Sequence, residues 1–399
     1  MYDFSRGVGD LGKEEIDAVG EVLESRSLFR YYGPDFKRKV ESFEKALAQS
    51  VGTRHAVAVS SGTAALQCGL VGLGIEEGDE VVVPSVTFIA TVAAVVAVRA
   101  VPVFAEIDES LNLDPASFEE NITRKTKAVI PVHLMHVAAD MDPIKGVAAR
   151  YGVKVLEDAC QSMGASYRWR RVGAIGDAGA FSFQLEKDIT SGEGGALTTD
   201  DDDVFDRANR YQDQGGQFTT SKGESRHESG EPFIGTNLRM TEIAGAIAEV
   251  QLNRLDAMIH VCRRLAHGIK RDLDDVGLTW RTVPDPDGDG GDLTVLLDTK
   301  EQASEFAKVV RAEGVPAGRL YGGRPVYMNP AVLERRTPWK VGCPWHCEQH
   351  PTGRTYHAGL CPRSEDILPR AILIPVGPRM TDVDCAQVVT AVRKAAESL

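Results

Sequence analysis

The alternation of short apolar runs with helical segments, beginning near residue 55, limits the possible folds most strongly. Five runs rich in β-branched residues predict strands: HAVAVS (55–60), EVVVPS (80–85), AVPVFAEID (100–108), KAVIPVHL (127–134) and VKVLEDA (153–159). Helical segments such as ATVAAVVAVRA and MDPIKGVAARYG lie between them. Apolar strands separated by helices are typical of a parallel sheet with helices on both faces, so the sequence predicts an α/β fold.

The second part of the chain has a different organisation. Residues 213–236 are polar and glycine-rich, and they predict a long loop that acts as a lid, contacts a partner or is disordered. Residues 239–275 predict one long amphipathic helical stretch that bridges two domains. The remainder mixes strands (DLTVLLD, AILIPVG) with helices. We therefore predict a large domain over residues 1–255, including the N-terminal segment, and a smaller α/β domain over residues 256–399.

Charge and hydropathy argue against several classes of partner. The formal net charge is -13 and the pI is about 5.3, so general binding to nucleic acid or anionic membranes is not expected. The most apolar window, TVAAVVAVRAVPVF, contains Arg99 and Pro102 and is too short to span a bilayer. The first residues show no signal-peptide pattern. Seven thinly spread cysteines argue against a disulfide framework, and we expect a cytoplasmic protein.

Three polar groups follow predicted strands, which is where parallel sheets bind their ligands. Ser61-Gly62-Thr63 opens a helix and forms either a simple N-cap or an anion site made of backbone N–H groups. Asp158 ends a buried strand and requires a structural ion pair or another cation, such as a protonated ring nitrogen. Lys187 follows FSFQLE and precedes a glycine cluster, and it is either a solvated loop lysine or a reactive amine.

Together, and in this order, the three groups match the requirements of pyridoxal phosphate. Its phosphate needs N–H donors, its pyridinium nitrogen needs a carboxylate, and its aldehyde needs a lysine amine. The carboxylate keeps the ring nitrogen protonated, so that the ring accepts electrons from the substrate Cα–H bond. The lysine forms the Schiff base and moves the proton.

Longer stretches of the sequence are similar to those of a known family. They are LFRYYGPDFKRKVESFEKALAQSVGTRHAVAVSSGTAAL, VVVPSVTFIAT, ADMDPI, VLEDACQSMGA, GDAGAFSFQLEKDITSGEGGALTTDD and GTNLRMTEIAGAIAEVQLNRLD. On these stretches, which run nearly end to end, the chain resembles the DegT/StrS-type sugar aminotransferases among the fold-type-I pyridoxal-phosphate enzymes. The resemblance implies a large domain with a mostly parallel sheet flanked by helices, plus a smaller C-terminal α/β domain.

The resemblance also implies roles for individual residues. Lys187 is the Schiff-base lysine, and Asp158, the other catalytic residue, pairs with the pyridine nitrogen. The remaining cofactor contacts that it implies are Gly62, Thr63 and Ser182 at the phosphate, Gln161 at the ring hydroxyl, Phe88 on the ring face, and Asn237 at the phosphate of the neighbouring subunit. That last contact implies a homodimer with shared active sites.

Three further residues are candidates for binding the substrate. Arg239 binds the carboxylate of the amino donor or, equally well, forms an ion pair at a helix start. Arg319 and Tyr321 are the other two candidates.

Some residues depart from the family pattern. Gln184-Leu185-Glu186 replaces His-Pro-Thr before the lysine, and Asp188 stands where the family often has asparagine. His136 occupies a usual glycine position, and RYQDQGG (210–216) replaces a His-Gly. These changes lie near the expected substrate side, so they affect the identity of the substrate more than the reaction.

We therefore expect an aminotransferase that uses pyridoxal 5'-phosphate. It would move an amino group from glutamate or glutamine to a keto sugar, usually nucleotide-linked, or to a keto-cyclitol, in amino-sugar or antibiotic biosynthesis. The alternatives are a dehydratase or lyase on the same fold and a regulatory homologue without catalysis. A dehydrating relative has histidine in place of the lysine, so Lys187 argues against dehydration, and the complete set of three groups argues against loss of catalysis.

The C-terminal stretch GCPWHCEQHPTGRTYHAGLCP combines Cys343, Cys347 and Cys361 with three histidines. Such residues at short spacing form zinc sites, and relatives with iron–sulfur clusters use cysteines of their C-terminal half. However, C-x3-C differs from the C-x2-C of most zinc knuckles, and no fourth cysteine follows nearby. The sequence thus favours a packing or substrate-facing loop over a metal site.

Overall fold

A seven-stranded sheet forms the centre of the protein. The computed structural model describes residues 3–216, 233–339, 342–348 and 350–399. The sheet consists of β1 (His55–Val59), β2 (Glu80–Pro84), β3 (Val101–Ala105), β4 (Thr126–Val129), β5 (Lys154–Asp158), β8 (Ala178–Ser182) and β9 (Gly195–Thr199). Its strand order is β1-β9-β8-β5-β4-β2-β3, and only β9 runs antiparallel to its neighbours. Two short strands, β6 (Ser166–Tyr167) and β7 (Arg170–Arg171), form a separate hairpin.

All five strands predicted from the apolar runs are present. The strand predicted over residues 127–134 is shorter than expected, because the ladder stops at Val129. Pro131, which lacks an N–H group, follows two residues later and cannot donate to a neighbouring strand. The carboxyl-terminal ends of β1, β2, β5 and β8 all point to the same side of the molecule, where the antiparallel β9 begins.

Helices cover the sheet on both sides. In chain order they are α1 (Lys13–Ser25), α2 (Lys39–Val51), α3 (Gly62–Gly72), α4 (Ile89–Ala97), α5 (Pro115–Glu120), α6 (Met141–Tyr151), α7 (Asp202–Gln212), α8 (Glu242–Leu252), α9 (Leu255–Asp272), α10 (Lys300–Ala312), α11 (Pro330–Leu333), α12 (Pro362–Ile367) and α13 (Asp382–Glu397). Alternate strand residues enter different cores: Val82 packs with α2, α6 and α9, whereas Val81 and Val83 pack with α3, α4 and α7. This three-layer arrangement confirms the predicted α/β fold with a mostly parallel sheet.

The long helical stretch predicted over residues 239–275 consists of two helices rather than one continuous helix. α8 ends at Leu252 and α9 begins at Leu255. Arg254, at the junction, donates to the Asp10 carbonyl at 2.8 Å and to Glu15 at 2.7 Å. These partners lie in the N-terminal segment, about 240 residues away in sequence, so the break coincides with a long-range contact.

The C-terminal part contains a second, smaller sheet. Its strands are β10 (Thr294–Leu296), β11 (Gly318–Arg319) and β12 (Ala371–Leu373), with β12 in the centre and antiparallel to both neighbours. α10 and α13 pack against each other beside it. This agrees with a smaller C-terminal α/β unit, while the division at residues 255 and 256 stays a prediction.

The sequence made two further predictions: its most apolar window does not span a membrane, and residues 213–236 form a long loop. Within the described residues, none of the helices combines the length and the apolar composition that a membrane crossing requires. Of the loop predicted over residues 213–236, residues 217–232 lie outside the described part. At its base, Asp213 pairs with Asn237 in a β-bridge and Gln214 donates to the Thr236 carbonyl at 2.9 Å.

Candidate active site

A cavity of about 600 Å³ opens at the carboxyl ends of the central strands. It brings together residues that are far apart in sequence but follow neighbouring strands. The predicted site residues that line it are Gly62, Thr63, Phe88, Asp158, Gln161, Ser182, Lys187 and Tyr321. Eight of the eleven predicted site residues thus line one cavity.

One end of the cavity is the start of α3. The Ser61 hydroxyl caps the helix by accepting from the Ala64 amide at 3.1 Å. The amides of Gly62 and Thr63 belong to the first turn, where an α-helix offers no internal acceptor. Together with the helix dipole, they favour an anion such as phosphate.

The glycine at the start of α3 is required by close packing. A Cβ atom at residue 62 would lie 2.8 Å from the Cβ of Ser182 and 2.9 Å from the sulfur of Cys160. Because these neighbours belong to other strand ends, a side chain at residue 62 would push the helix start away from the sheet. Gly62 thus keeps the first-turn amides next to Ser182.

Asp158 lies at the end of β5 and is 3% exposed. Its Oδ2 accepts a hydrogen bond from the Thr91 hydroxyl at 2.8 Å, and its Oδ1 lies 3.2 Å from the Cys160 amide. Thr91 is itself 2.7 Å from the hydroxyl of Thr87. Two donors therefore fix the orientation of a buried carboxylate that lines the cavity.

Thr87 and Thr91 were missed by the sequence analysis. Both are buried, at the turn before α4 and in its first turn. Their spacing of four residues, which places two hydroxyls on one side of a helix start, is the signal that could have identified them. Nothing local in the sequence connects them with Asp158, however, because the contact spans 67 residues.

Lys187 lies in the loop between β8 and β9 and is partly exposed to the cavity. Its amide donates to the Gln184 carbonyl at 3.0 Å, and its carbonyl accepts from the Gly7 amide at 3.3 Å. The backbone of Lys187 is thus held both within its own loop and by the N-terminal segment.

The residue after Lys187 is part of a buried charged cluster. The Asp188 carboxylate accepts from Arg6 at 2.8 Å and lies 3.5 Å from Nδ1 of His136, which lines the cavity. Burial and the nearby Arg6 cation lower the pKa of His136, so the ring is neutral at neutral pH. Burial alone would raise the pKa of Asp188, but its contacts with His136 and Arg6 lower it to about 2. Because His136 is neutral, we attribute this lowering mainly to Arg6.

This cluster clarifies two departures from the family pattern. The side chain of Asp188 is 3% exposed and is paired with Arg6, so its role in this structure is to hold the lysine loop. The backbone of His136 is left-handed, with φ 67°, and its side chain is 18% exposed. His136 and Asp188 both line the cavity, and the expectation that these changes lie near the substrate side stays a prediction.

Tyr321 and Gln161 meet at the side of the cavity formed by the C-terminal part. The Tyr321 hydroxyl donates to Oε1 of Gln161 at 3.1 Å. Burial raises the pKa of Tyr321, so it remains a neutral donor. Its backbone is left-handed, with φ 49°, which is costly for a tyrosine and typical of residues held in place at functional sites.

The other three predicted residues lie outside this cavity in the described part of the chain. Arg319 donates to the Pro369 carbonyl at 2.6 Å and to the Ser304 hydroxyl at 2.7 Å, which does not favour a role in substrate binding. Arg239 pairs with Asp213 at 2.7 Å, near the start of α8. Asn237 is exposed on the surface.

The C-terminal cysteines do not form one cluster. The sulfur atoms of Cys343 and Cys347 lie near Glu77, a residue that the sequence analysis did not single out. Cys361 is buried beside Tyr327 and does not belong to the group around Glu77.

The cavity thus offers an anion site, a buried carboxylate and a lysine amine around one space. These three groups fit the phosphate, ring nitrogen and aldehyde of pyridoxal phosphate. The fit rests on the glycine-lined start of α3, the two donors that orient Asp158 and the placement of Lys187 at the same strand edge.

Known proteins resemble this chain over most of its length. The chain is 35% identical over 404 residues to dTDP-3-amino-3,4,6-trideoxy-alpha-D-glucose transaminase of Streptomyces venezuelae, covering 100% of this chain and 96% of the relative. It is 36% identical over 345 residues to L-glutamine:2-deoxy-scyllo-inosose aminotransferase of Streptomyces kanamyceticus, covering 80% and 78%. The crystal structure of S. venezuelae DesV in complex with a ketimine intermediate matches with a TM-score of 0.81 at 33% identity, covering 97% of this chain and 95% of that one.

A family model gives the same result over nearly the whole length of the chain. The model of the DegT/DnrJ/EryC1/StrS aminotransferase family matches residues 9–393. This range includes the start of α3, the end of β5, the lysine loop and the smaller C-terminal sheet. The protein belongs to the DegT/DnrJ/EryC1/StrS family of aminotransferases.

Proposed function

We propose that the protein uses pyridoxal 5'-phosphate to transfer an amino group from glutamate or glutamine to a keto group on a nucleotide-linked sugar or a cyclitol. The observation that supports this most strongly is the convergence of the Gly62–Thr63 helix start, Asp158 and Lys187 on one cavity. The family and its transaminase relatives support the reaction class.

The residues of the chain divide the work as follows. When bound, pyridoxal phosphate supplies an aldehyde and an electron-accepting ring. The amides of Gly62 and Thr63 bind the phosphate, and Ser182 lies beside them. Asp158, oriented by Thr91, holds a proton on the ring nitrogen. Lys187 Nζ would hold the aldehyde carbon, and when free of it the same amine would move a proton to and from the substrate carbon.

The remaining cavity residues shape the substrate side. Phe88 is 56% exposed and lines the cavity, so one face of its ring is available to cover a planar group. Gln161, whose Oε1 accepts from the Tyr321 hydroxyl, presents its side-chain amide to the ring hydroxyl of the cofactor. Neutral His136 offers a hydrogen bond without adding charge near the acceptor.

The class of acceptor follows from relatives of known name. One acts on a dTDP-linked sugar and another on an inosose, a cyclitol, with L-glutamine as the donor. The two acceptor types share a six-membered ring with neighbouring hydroxyls and one keto group. The hydroxyl and amide groups among the cavity residues, such as those of Tyr321 and Gln161, suit either type.

Dehydration on the same fold is the competing reaction. Lys187 at the lysine position argues against it, because the resemblance connects that chemistry with histidine. A regulatory homologue would not need the buried Asp158 and its two donors.

The half-reaction with the amino donor provides the test. Purified protein loaded with pyridoxal phosphate should lose its visible absorption band when L-glutamate or L-glutamine is added, and a keto-sugar or keto-cyclitol acceptor should restore the band. The Lys187→Ala variant serves as the control and should show neither change. An unchanged spectrum with both donors, in protein that holds the cofactor, would contradict an aminotransferase.

A further inference from the structure

The segment from Gly342 to Tyr356 packs on the large sheet at the amino-terminal ends of β2 and β3, opposite the cavity. Its described residues contain turns but no helix or strand. Arg354 forms a double hydrogen bond with Glu80 at the start of β2, at 3.0 and 2.9 Å, and Lys125 donates to the Pro351 carbonyl at 2.9 Å. A long irregular segment with few backbone hydrogen bonds needs such side-chain anchors to keep one conformation.

Two thiols and a carboxylate meet under this segment. One ligand atom each from Glu77, Cys343 and Cys347 lies within 4.8 Å of the other two. Cys347 and Cys343 are buried, at 5% and 8% exposed, and the Cys347 sulfur is 3.1 Å from Oε1 of Glu77. Among the residues that the structure describes, this is the one group of three or more such side chains that could hold a metal ion.

The carboxylate of Glu77 is oriented for this contact. Its Oε2 accepts from Arg99 at 3.1 Å, which leaves Oε1 directed towards the sulfur atoms. Arg99 lies over the ring of Trp339, 6.0 Å from its centroid. A second group that holds a ligand in place is a general feature of metal sites.

We propose that Glu77, Cys343 and Cys347 bind a zinc ion. Zinc prefers thiolate, imidazole and carboxylate ligands in a tetrahedral arrangement. With bonds of about 2.0–2.3 Å, such a site places its ligand atoms about 3.3–3.8 Å apart, so the three atoms must approach by at most about 1–1.5 Å. The exposed His350 lies beside Gly78 but does not belong to this group of three, so a water molecule would complete the tetrahedral coordination.

The charges balance with zinc present. Two thiolates and one carboxylate carry −3, the zinc ion adds +2, and Arg99 brings the total to zero. Binding releases one proton from each thiol to solvent. The site lies at the amino-terminal edge of the sheet, so the ion would stabilise the irregular segment and take no part in the transamination. This inference is independent of the proposed function.

Metal binding by the full-length protein tests the proposal. Reduced, chelator-treated protein should bind one equivalent of Zn²⁺ per chain, and Co²⁺ in its place should give thiolate-to-metal absorption. Cys343→Ser and Cys347→Ser should each remove about half of that absorption. Cys361→Ser is the matched control, because its buried thiol belongs to the same sequence motif but not to the group around Glu77, and it should bind as the wild type does.

Two variants that spare the thiols keep the test valid if the serine variants fold poorly. Arg99→Gln should weaken zinc binding about 10–100-fold, as loss of a supporting contact does, while retaining the thiolate absorption. Glu77→Gln should weaken binding and also retain that absorption. The proposal is overturned if the wild type binds no stoichiometric zinc, if Cys361→Ser abolishes binding, or if Cys343 and Cys347 form a disulfide in protein whose thiols are blocked at lysis.

Discussion

At the scale of single residues, the orientation of Asp158 is the most informative detail. A buried carboxylate must be matched by donors or a cation, and here Thr91 and the Cys160 amide supply two hydrogen bonds. One side of the carboxylate remains directed to the cavity. Thr91 therefore acts through Asp158 as a positioning residue.

Replacing Thr91 with valine should reduce turnover because it removes one donor with little change in volume. A hydrogen bond to a charged group is worth about 1.5–3 kcal/mol, which corresponds to about a 10–100-fold loss in kcat. Thr91→Ser keeps the hydroxyl and should restore most of the activity. Equal losses in the valine and serine variants would show that packing, and not the hydrogen bond, is responsible.

Asp158→Asn should lower turnover more than Thr91→Val does. An amide cannot hold a proton on the ring nitrogen, so the electron-accepting property of the cofactor is lost while the fold is kept. Steady-state kinetics with circular dichroism on the same sample separate the two effects. Turnover near the wild-type value would rule out the proposed role of Asp158.

The Arg6–Asp188 pair predicts a specific dependence of stability on pH. The pKa of Asp188 is lowered from 3.8 to about 2 in the folded protein. The pair therefore contributes stability above about pH 4 that is lost as the pH falls towards 2, and the lowering corresponds to about 2 kcal/mol. The difference in Tm between wild type and Asp188→Asn should stay constant from pH 7 to about pH 5 and shrink below about pH 4.

A second pair of proteins, both carrying His136→Gln, separates the titration of Asp188 from that of the neighbouring histidine. His136 touches the same carboxylate, and its own pKa is lowered from 6.5. The same Tm comparison should therefore be repeated with His136→Gln in both proteins. A difference that stays constant down to pH 3 would refute the assignment of Asp188.

At the scale of secondary structure elements, the start of α3 depends on the absence of a side chain at residue 62. Gly62→Ala should weaken cofactor binding, because the added Cβ would lie 2.8–2.9 Å from Ser182 and Cys160. Gly20→Ala, in the middle of α1, is the matched control because a Cβ there meets no atom within 4 Å. Equilibrium dialysis with pyridoxal phosphate should show weaker binding for the first variant alone, and equal affinities would disprove the packing argument.

The sequence predicted the strands and the strand-end residues well because these depend on local apolar patterns. The short apolar runs rich in β-branched residues located β1 to β5, and the known position of ligands in parallel sheets connected Gly62, Asp158 and Lys187. The antiparallel direction of β9 and the break between α8 and α9 depend on contacts between distant residues. For the same reason Arg6, Thr91 and Glu77 could not be assigned: their partners are 182, 67 and 270 residues away.

At the scale of the whole molecule, a homodimer with shared active sites remains a prediction from the resemblance. Asn237 is exposed and outside the cavity of its own chain, and Phe88 at the cavity is 56% exposed. Both observations are consistent with a second subunit that closes the site. If Asn237 serves the neighbouring phosphate, cofactor binding should favour the dimer.

Mixing two inactive variants tests this assembly. If each active site takes Lys187 from one chain and Asn237 from the other, a mixed dimer of Lys187→Ala and Asn237→Ala chains has one site with both substitutions and one site with neither. Activity should therefore exceed that of either parent after subunit exchange. No recovery, with exchange confirmed by mass spectrometry, would mean that Asn237 serves its own subunit or only the local fold.

The role of Lys187 as the residue that binds the cofactor can be tested by chemical labelling. Protein loaded with pyridoxal phosphate is reduced with borohydride, digested and mapped by mass spectrometry. We expect one stable cofactor adduct per chain, on the peptide that contains Lys187, and none in the Lys187→Ala variant. An adduct on a different lysine, or the absence of any adduct in protein that holds the cofactor, would contradict it.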